Sequence, residues 1–225
     1  MDTTRHGALL AALAAPGSST RLRAALAAGT RPAPDLVEPL LTRCATEPDF
    51  FVRDMLTWAL TRHPAELTVP RLLDEVTSDV PQARSQALHT LSKIRDARAW
   101  SGLPAGWLHD AEDEAARSAW RAAVVLVPVG EEAELVGELV RELGRGDRDT
   151  RLSLSRALVA LAERAPAAVE DALGEAAVSS DPAVRGHARA TERLLLDPDA
   201  EFADAQDEAT RTVLLTGAPR PEPRC

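Results

Sequence analysis

The chain has 225 residues, of which 45% are hydrophobic, 27% are charged and only 3% are aromatic, and its formal net charge is −9. This hydrophobic content excludes intrinsic disorder over the whole chain, and the acidic balance argues against a surface that coats nucleic acid or anionic membranes. No segment approaches the roughly 18 apolar residues that a membrane span needs, so no membrane association is expected.

The predicted helices come in pairs along the chain, because Ala and Leu favour helix and the apolar residues recur at helical spacing. A degenerate pair over 5–28 is followed by five pairs over 34–63, 66–95, 98–128, 131–164 and 166–196. In these five pairs, the first helix is predicted over 35–45, 66–77, 102–109, 131–143 and 167–178. A polar capping helix is predicted over 200–216, and the Pro-rich tail 217–225 is predicted to be disordered. Residues 1–216 are therefore interpreted as a single domain.

An arginine marks each of the last five pairs at a repeat period near 33 residues. It occurs at positions 53, 84, 117, 151 and 185, and an Asp precedes it by four residues in four repeats and by five in the other. Counted from this arginine, positions −1 and +3 are apolar or small in nearly every repeat, and +6 and +7 continue the stripe. That spacing predicts one buried face on each second helix.

Three of the first helices also carry a proline in register, at positions 39, 70 and 104. A proline inside a helix removes a hydrogen bond and bends the helix, so the bend is predicted to belong to the repeat. The three tryptophans of the fourth pair, Trp100, Trp107 and Trp120, are predicted to pack in the core and between repeats.

Two helices per unit, a proline in the first and Asp-x-x-x-(Val/Ala)-Arg opening the second resemble the HEAT-repeat family of armadillo-type α-solenoids. The segment 78–100, SDVPQARSQALHTLSKIRDARAW, carries this resemblance most closely. The resemblance implies an all-α, right-handed α-solenoid of about six helix pairs in which the second helices line the concave face. It also implies a hydrogen-bonded ladder between neighbouring repeats, made of Asp49 and Arg53, Asp79 and Arg84, Asp113 and Arg117, Asp147 and Arg151, and Asp181 and Arg185.

If positions −1, +3, +6 and +7 are buried, then +1, +4, +5 and +8 are predicted to face outward into a groove. Its predicted lining comprises Trp58, His89, Arg121, Arg156, Arg189 and Arg193. Arginine pairs well with carboxylates and phosphates, and a tryptophan can anchor an apolar residue. We therefore expect a non-enzymatic scaffold or regulatory protein that binds an acidic protein or peptide segment. The alternative is that these exposed arginines only keep the surface solvated.

A second hypothesis is DNA binding or base excision, by similarity to helical-repeat DNA glycosylases of the DNA-alkylation-repeat type. Those proteins present Trp, Asp and Arg on a concave face, and Asp54 and Trp58 lie four residues apart here. The net charge of −9 and the single lysine argue against a nucleic-acid partner.

Other chemistry is not indicated by the sequence. Gly144 and Gly146 are not followed by the Lys of a phosphate-binding loop, and the five histidines lack metal-ligand spacing. We therefore expect no catalytic residues, no metal and no cofactor, and a monomeric protein. Because Cys44 and Cys225 form no disulfide framework, a cytoplasmic location is expected.

Overall fold

The structure is a computed structural model that describes residues 3–197, with side chains from His6 onward. All regular secondary structure in this part of the chain is helical. The α-helices are α1 (Thr3–Leu13), α2 (Ser18–Thr30), α3 (Val37–Thr46), α4 (Phe50–Thr61), α5 (Ala65–Glu75), α6 (Pro81–Ile94), α7 (Asp113–Leu126), α8 (Glu132–Leu139), α9 (Arg148–Ala162), α10 (Pro166–Ala176) and α11 (Pro182–Leu196). Short 3₁₀ helices cover Pro34–Leu36, Ala97–Gly102, Trp107–His109 and Val140–Glu142. The predicted cap 200–216 and tail 217–225 lie outside the described residues.

The chain divides into two compact units, Met1–Glu131 and Glu132–Cys225, which are called the N-terminal unit and the C-terminal unit below. Each unit contains successive helices whose buried residues are mostly leucines and alanines. The sequence-based interpretation of 1–216 as a single domain stays a prediction.

The predicted buried face of the second helices is confirmed. In α4, Val52, Leu56 and Leu60 at positions −1, +3 and +7 are fully buried. The corresponding positions of α6, α7 and α9 are likewise buried, except for half-buried Val124. The apolar stripe that defines the repeat is therefore the core face of these helices.

The predicted outward positions are buried more often than expected. Thr57, Leu88, Ala122, Ser155 and Ala190 are all buried, although each lies at position +4 or +5. The reason is that a second helix packs against more than its own first helix. Its neighbours along the chain cover a second face, where small polar side chains meet: Thr57 with Thr90 at 3.5 Å, Ser85 with Ser118 at 3.0 Å, and Ser155 with Thr191 at 2.7 Å.

The first helix predicted over 102–109 does not form. Two 3₁₀ helices, Ala97–Gly102 and Trp107–His109, replace it, because Pro104 offers no amide hydrogen and Gly106 adopts a left-handed φ of 79°. This segment packs on α7 through Trp120, which is fully buried and donates from Nε1 to the Leu108 carbonyl at 3.0 Å.

The three prolines that recur in register do not share one structural role. Pro70 lies inside α5, whereas Pro39 lies in the first turn of α3, where the missing amide hydrogen is not needed. Pro104 lies between the two 3₁₀ helices. A bend common to all repeats is therefore not present at these prolines.

Candidate functional site

A groove of about 420 Å³ opens on three second helices of the N-terminal unit, α4, α6 and α7. Each helix contributes side chains spaced three or four residues apart, so that one face of each helix lines the groove. The lining residues are Phe50, Arg53, Asp54, Gln86, His89, Lys93, Glu114, Arg117, Ser118 and Arg121.

The groove carries positive charge in a protein that is negative as a whole. Its lining includes four cations and two carboxylates, which gives +4 − 2 = +2 with His89 neutral, whereas the whole chain carries −9. The four cations are Arg53, Lys93, Arg117 and Arg121. The groove is therefore a local site of attraction for anions.

The pKa values of two lining residues are lowered first by burial and further by neighbouring cations. Burial lowers the pKa of His89 below its ordinary value of 6.5, the charges of Lys93 and Arg121 lower it further, and Asp54 opposes them. Desolvation lowers the pKa of Arg121; Glu114 opposes this shift, and the charge of Arg117 adds to it. His89 is consequently neutral at neutral pH, and an anion that enters the groove would raise its pKa.

The cations at the α7 side of the groove are held by few contacts. Arg121 donates from Nη2 to the Ser118 hydroxyl at 2.9 Å. Arg117 Nη1 lies 3.5 Å from Glu114 Oε2, whose side chain is 66% exposed, and the buried Nε of Arg117 has no hydrogen-bond partner among the described residues. A guanidinium in this state retains the capacity to bind another anion.

Two exposed aromatic side chains stand at the α4 edge of the groove. Phe50 and Phe51 are 65% and 73% exposed, and their ring centroids lie 5.7 Å apart in an edge-to-face arrangement. The Arg53 guanidinium lies 6.0 Å from the Phe50 ring centroid. Because large exposed apolar groups often mark contact sites, this edge could take an apolar side chain next to bound acidic groups.

The structure brings together two of the predicted groove residues, His89 and Arg121. Trp58 does not line this groove: its ring packs against Gly29 of α2 and lies under the Arg62 guanidinium, 6.0 Å from the ring centroid. Arg156, Arg189 and Arg193 are exposed on α9 and α11 of the C-terminal unit.

Sequence reasoning missed the contributions of Phe50, Lys93, Glu114 and Ser118, and it treated Arg117 only as a ladder residue. A signal for them exists in the spacing. Lining residues occur at positions −3, 0, +1 and +4 around the arginine of α7, and His89 and Lys93 are one turn apart on α6. The positions predicted to face outward were +1, +4, +5 and +8, so position −3 and the arginine itself were not included.

The repeated arginines mostly bind the loop that precedes their own helix. Arg53 donates to the carbonyls of Glu47 and Pro48, which lie six and five residues earlier, at 2.9 Å each. The same offset is used by Arg84 to Ser78, by Arg151 to Gly146, and by Arg185 to Ser179 and Ser180. Arg21 of the degenerate first repeat binds the Ala15 and Pro16 carbonyls in this way, at 3.0 and 2.7 Å.

The acidic members of the predicted ladder have a different role from the one expected at several positions. Asp49, Asp147 and Asp181 are N-caps, accepting from backbone N–H groups at the start of α4, α9 and α11. Asp79 is exposed and Asp113 is the first residue of α7.

The carboxylates that pair with Arg21 and Arg84 across repeats come from loops rather than from the predicted positions. Arg84 forms a bidentate pair with Asp110, at 2.6 and 2.8 Å, instead of pairing with Asp79. Arg21 pairs in the same way with Glu47, at 2.7 Å for both bonds. Each partner lies 26 residues after its arginine.

Within residues 3–197, no three His, Cys, Asp or Glu residues lie together in a way that could hold a metal ion. No helix there has the length and apolar character to cross a membrane.

Two solved structures of engineered proteins from the Northeast Structural Genomics Consortium are similar to this chain. One is 22% identical, covers 84% of this chain and 94% of its own, and gives a TM-score of 0.45. The other is 17% identical, with coverages of 83% and 96% and a TM-score of 0.43. No protein-family model and no curated protein sequence matches the chain. These similarities are too distant to assign a family or a function.

Proposed function

We propose that this protein is a non-enzymatic binding protein whose groove on α4, α6 and α7 holds an acidic segment of a protein partner. The observation that carries the proposal is the net charge of +2 on the groove lining within a chain of net charge −9. Such a contrast favours the encounter of the groove with carboxylates and repels them from the rest of the surface.

The size and edge of the groove support a peptide occupant. A volume of about 420 Å³ accommodates a few side chains rather than a folded domain. The exposed rings of Phe50 and Phe51 can contact an apolar residue of the same segment. The partner segment is thus expected to combine acidic residues with one apolar side chain.

The HEAT-like nature of the helix pairs, in a right-handed solenoid, is part of this proposal. Its support is the recurrence of one arginine per pair, bound five or six residues back to its own loop in Arg21, Arg53 and Arg185. Extended binding surfaces on second helices are the usual use of such repeats.

The test uses two fluorescent peptides of equal length, one with Glu and a Phe and one in which Gln replaces each Glu. We expect the acidic peptide to bind and the neutral one to bind about tenfold or more weakly. Arg121→Glu should weaken the binding of the acidic peptide by a similar factor. Arg71→Glu is the matched control, since Arg71 is exposed on α5 outside the groove, 3.9 Å from Glu38.

The ring of His89 gives a second readout in the same titration. Bound carboxylates should raise its pKa, which is held low by burial, Lys93 and Arg121. Equal loss of binding in Arg121→Glu and Arg71→Glu, or an unchanged His89 pKa at saturation, would show that the peptide binds elsewhere.

DNA remains the alternative partner. Asp54 lines the groove, but Trp58 lies outside it against Gly29, so the Asp and Trp expected to act together do not share this site. A duplex oligonucleotide is titrated under the same conditions as the peptides. Tighter binding of the duplex than of the acidic peptide would favour the DNA hypothesis.

A further inference from the structure

Arg117 differs from the other arginines at its repeat position. Arg53, Arg84, Arg151 and Arg185 each donate to a carbonyl of the preceding loop. Among the described residues Arg117 makes no such bond and its buried Nε has no hydrogen-bond partner, while its Nη1 lies 3.5 Å from Glu114 Oε2. The residue that is structural elsewhere is therefore left with donor capacity on the groove.

Arg117 lies among cations contributed by α6 and α7. Lys93 and Arg121 line the same groove and their charges both act on His89, opposed by Asp54, while the charge of Arg117 acts on Arg121. The α6 and α7 part of the lining holds these three cations and one carboxylate, Glu114, which is a net charge of +2. Because Glu114 is 66% exposed and makes only a long contact, an anionic ligand can displace it at little cost.

We propose that Lys93, Arg117 and Arg121 form a subsite for a phosphate monoester dianion, the phosphorylated side chain of a partner peptide. The inference rests on the proposed function and specifies its ligand. A phosphoryl group carries between about −1.5 and −2 charges at neutral pH, which matches the local +2 better than one carboxylate does. It also offers three acceptor oxygens to two guanidinium groups and one ammonium group.

A phosphopeptide fits the groove better than a nucleic acid. Three of the four lining cations belong to α6 and α7, and the fourth, Arg53, lies beside the exposed ring of Phe50 on α4, so the groove offers an apolar contact as well as cations. A polyanion would also meet the repulsion of a chain with net charge −9.

The experiment compares three peptides that differ at one central residue, phosphoserine, Glu or Ser, and that share a Phe and a Gly/Ser background. Nitrogen–proton NMR titrations of the full chain follow the backbone of α6 and α7. We expect the phosphoserine peptide to bind about tenfold or more tightly than the Glu peptide. The Ser peptide should be the weakest of the three.

Arg117→Gln should abolish the preference for phosphoserine over Glu, whereas Arg71→Gln outside the groove should retain it. Glu114→Gln removes the competing carboxylate and should strengthen binding of the phosphopeptide. A circular dichroism melt of each variant separates loss of the subsite from loss of the fold.

The outcomes distinguish the two proposals. Equal affinity for phosphoserine and Glu peptides, or an unchanged preference in Arg117→Gln, overturns the phosphate subsite and leaves the acidic-segment proposal standing. No binding of any anionic peptide overturns both. A single-stranded oligonucleotide that binds more tightly than the phosphopeptide overturns the subsite assignment in favour of nucleic acid.

Discussion

Glu47, in the turn between α3 and α4, holds its carboxylate fully buried among several donors. Arg21 donates two hydrogen bonds to it and Arg43 donates a third, all at 2.7 Å, and the Asp49 amide donates a fourth at 2.9 Å. Burial by itself raises the pKa of Glu47. The hydrogen bonds from Arg21, Asp49 and Arg43 outweigh it and lower the pKa from 4.5 to about 2.

We expect Glu47→Gln to lower the free energy of unfolding by about 3–5 kcal/mol at neutral pH, because it removes the negative charge that compensates the buried guanidinium of Arg21. The folded pKa of Glu47 is depressed, so its contribution is present above pH 4.5 and is lost as the pH falls through about 2. Urea denaturation should therefore show the wild type and Glu47→Gln converging over this range.

The control for this prediction is Glu38→Gln. Glu38 is 63% exposed and lies 3.9 Å from Arg71, so its loss should change stability by less than about 1 kcal/mol. A gap between the wild type and Glu47→Gln that stays constant below pH 4.5 would contradict the assignment of the stabilising charge to Glu47.

At this scale the sequence predicted the recurring arginines but did not predict that Glu47 and Asp110 would bind two of the guanidinium groups at the repeat position. Both acids lie in loops, 26 residues after the arginines they bind. A periodic pattern identifies which face of a helix is buried. It contains no information on which loop side chain will reach a given guanidinium, since that depends on the path of the loop.

At the scale of helices, α2 and α4 approach closely where Gly29 faces the ring of Trp58. A Cβ at position 29 would overlap the Trp58 ring and lie 2.9 Å from the Ala59 Cα, which cannot move independently of α4. Gly29 is therefore required by the packing of two helices rather than by its backbone conformation.

Gly29→Ala should destabilise the protein by about 1–3 kcal/mol, because the added methyl group overpacks the α2–α4 contact. Gly7→Ala is the matched control. Position 7 lies inside α1 with nothing within 4 Å of the added Cβ, and Ala there should stabilise by about 0.5–1 kcal/mol. Thermal unfolding measures both, and a shift of the same sign in the two variants would refute the packing argument.

The second helices could be predicted well and one first helix could not. The stripe in α4, α6 and α9 continues over two turns, which is enough to fix the buried face. In 102–109, Gly102, Pro104 and Gly106 leave too few residues for a turn of α-helix to propagate, and 3₁₀ turns form instead. Segments at equivalent positions in the repeat therefore do not always form the same secondary structure.

At the scale of the whole molecule, the chain divides into two compact units, and Cys44 belongs to the N-terminal unit. The Cys44 thiol is buried in the N-terminal unit, and desolvation raises its pKa to about 12. In its folded environment the thiol is inaccessible and protonated, so alkylation of Cys44 requires unfolding around it.

In a Cys225→Ser background, we expect Leu56→Ala to accelerate alkylation of Cys44 more than Leu158→Ala does. Both leucines are fully buried, so either change costs about 2–5 kcal/mol, but Leu56 belongs to the N-terminal unit and Leu158 to the C-terminal unit. Mass spectrometry follows the modification. Equal acceleration by both changes would mean that the two units unfold as one.

The sequence predicted only part of the lining of the groove on α4, α6 and α7. Sorting residues by repeat position selected His89 and Arg121, which the structure places together. It failed for Trp58 and Arg117, because the rule treats all repeats as equivalent. Trp58 is drawn against Gly29, and Arg117 lacks the carbonyl bonds that its counterparts make.

Lys93 is the only lysine of the 225-residue sequence, and its side chain lines the groove. Reagents or enzymes that acylate amines therefore have a single side-chain target in this protein, and that target lies within the proposed binding site. Acetylation of Lys93 would remove one of the four groove cations while leaving the carboxylates of Asp54 and Glu114 in place. Acylation of this single lysine side chain would therefore lower the affinity of the groove for anions.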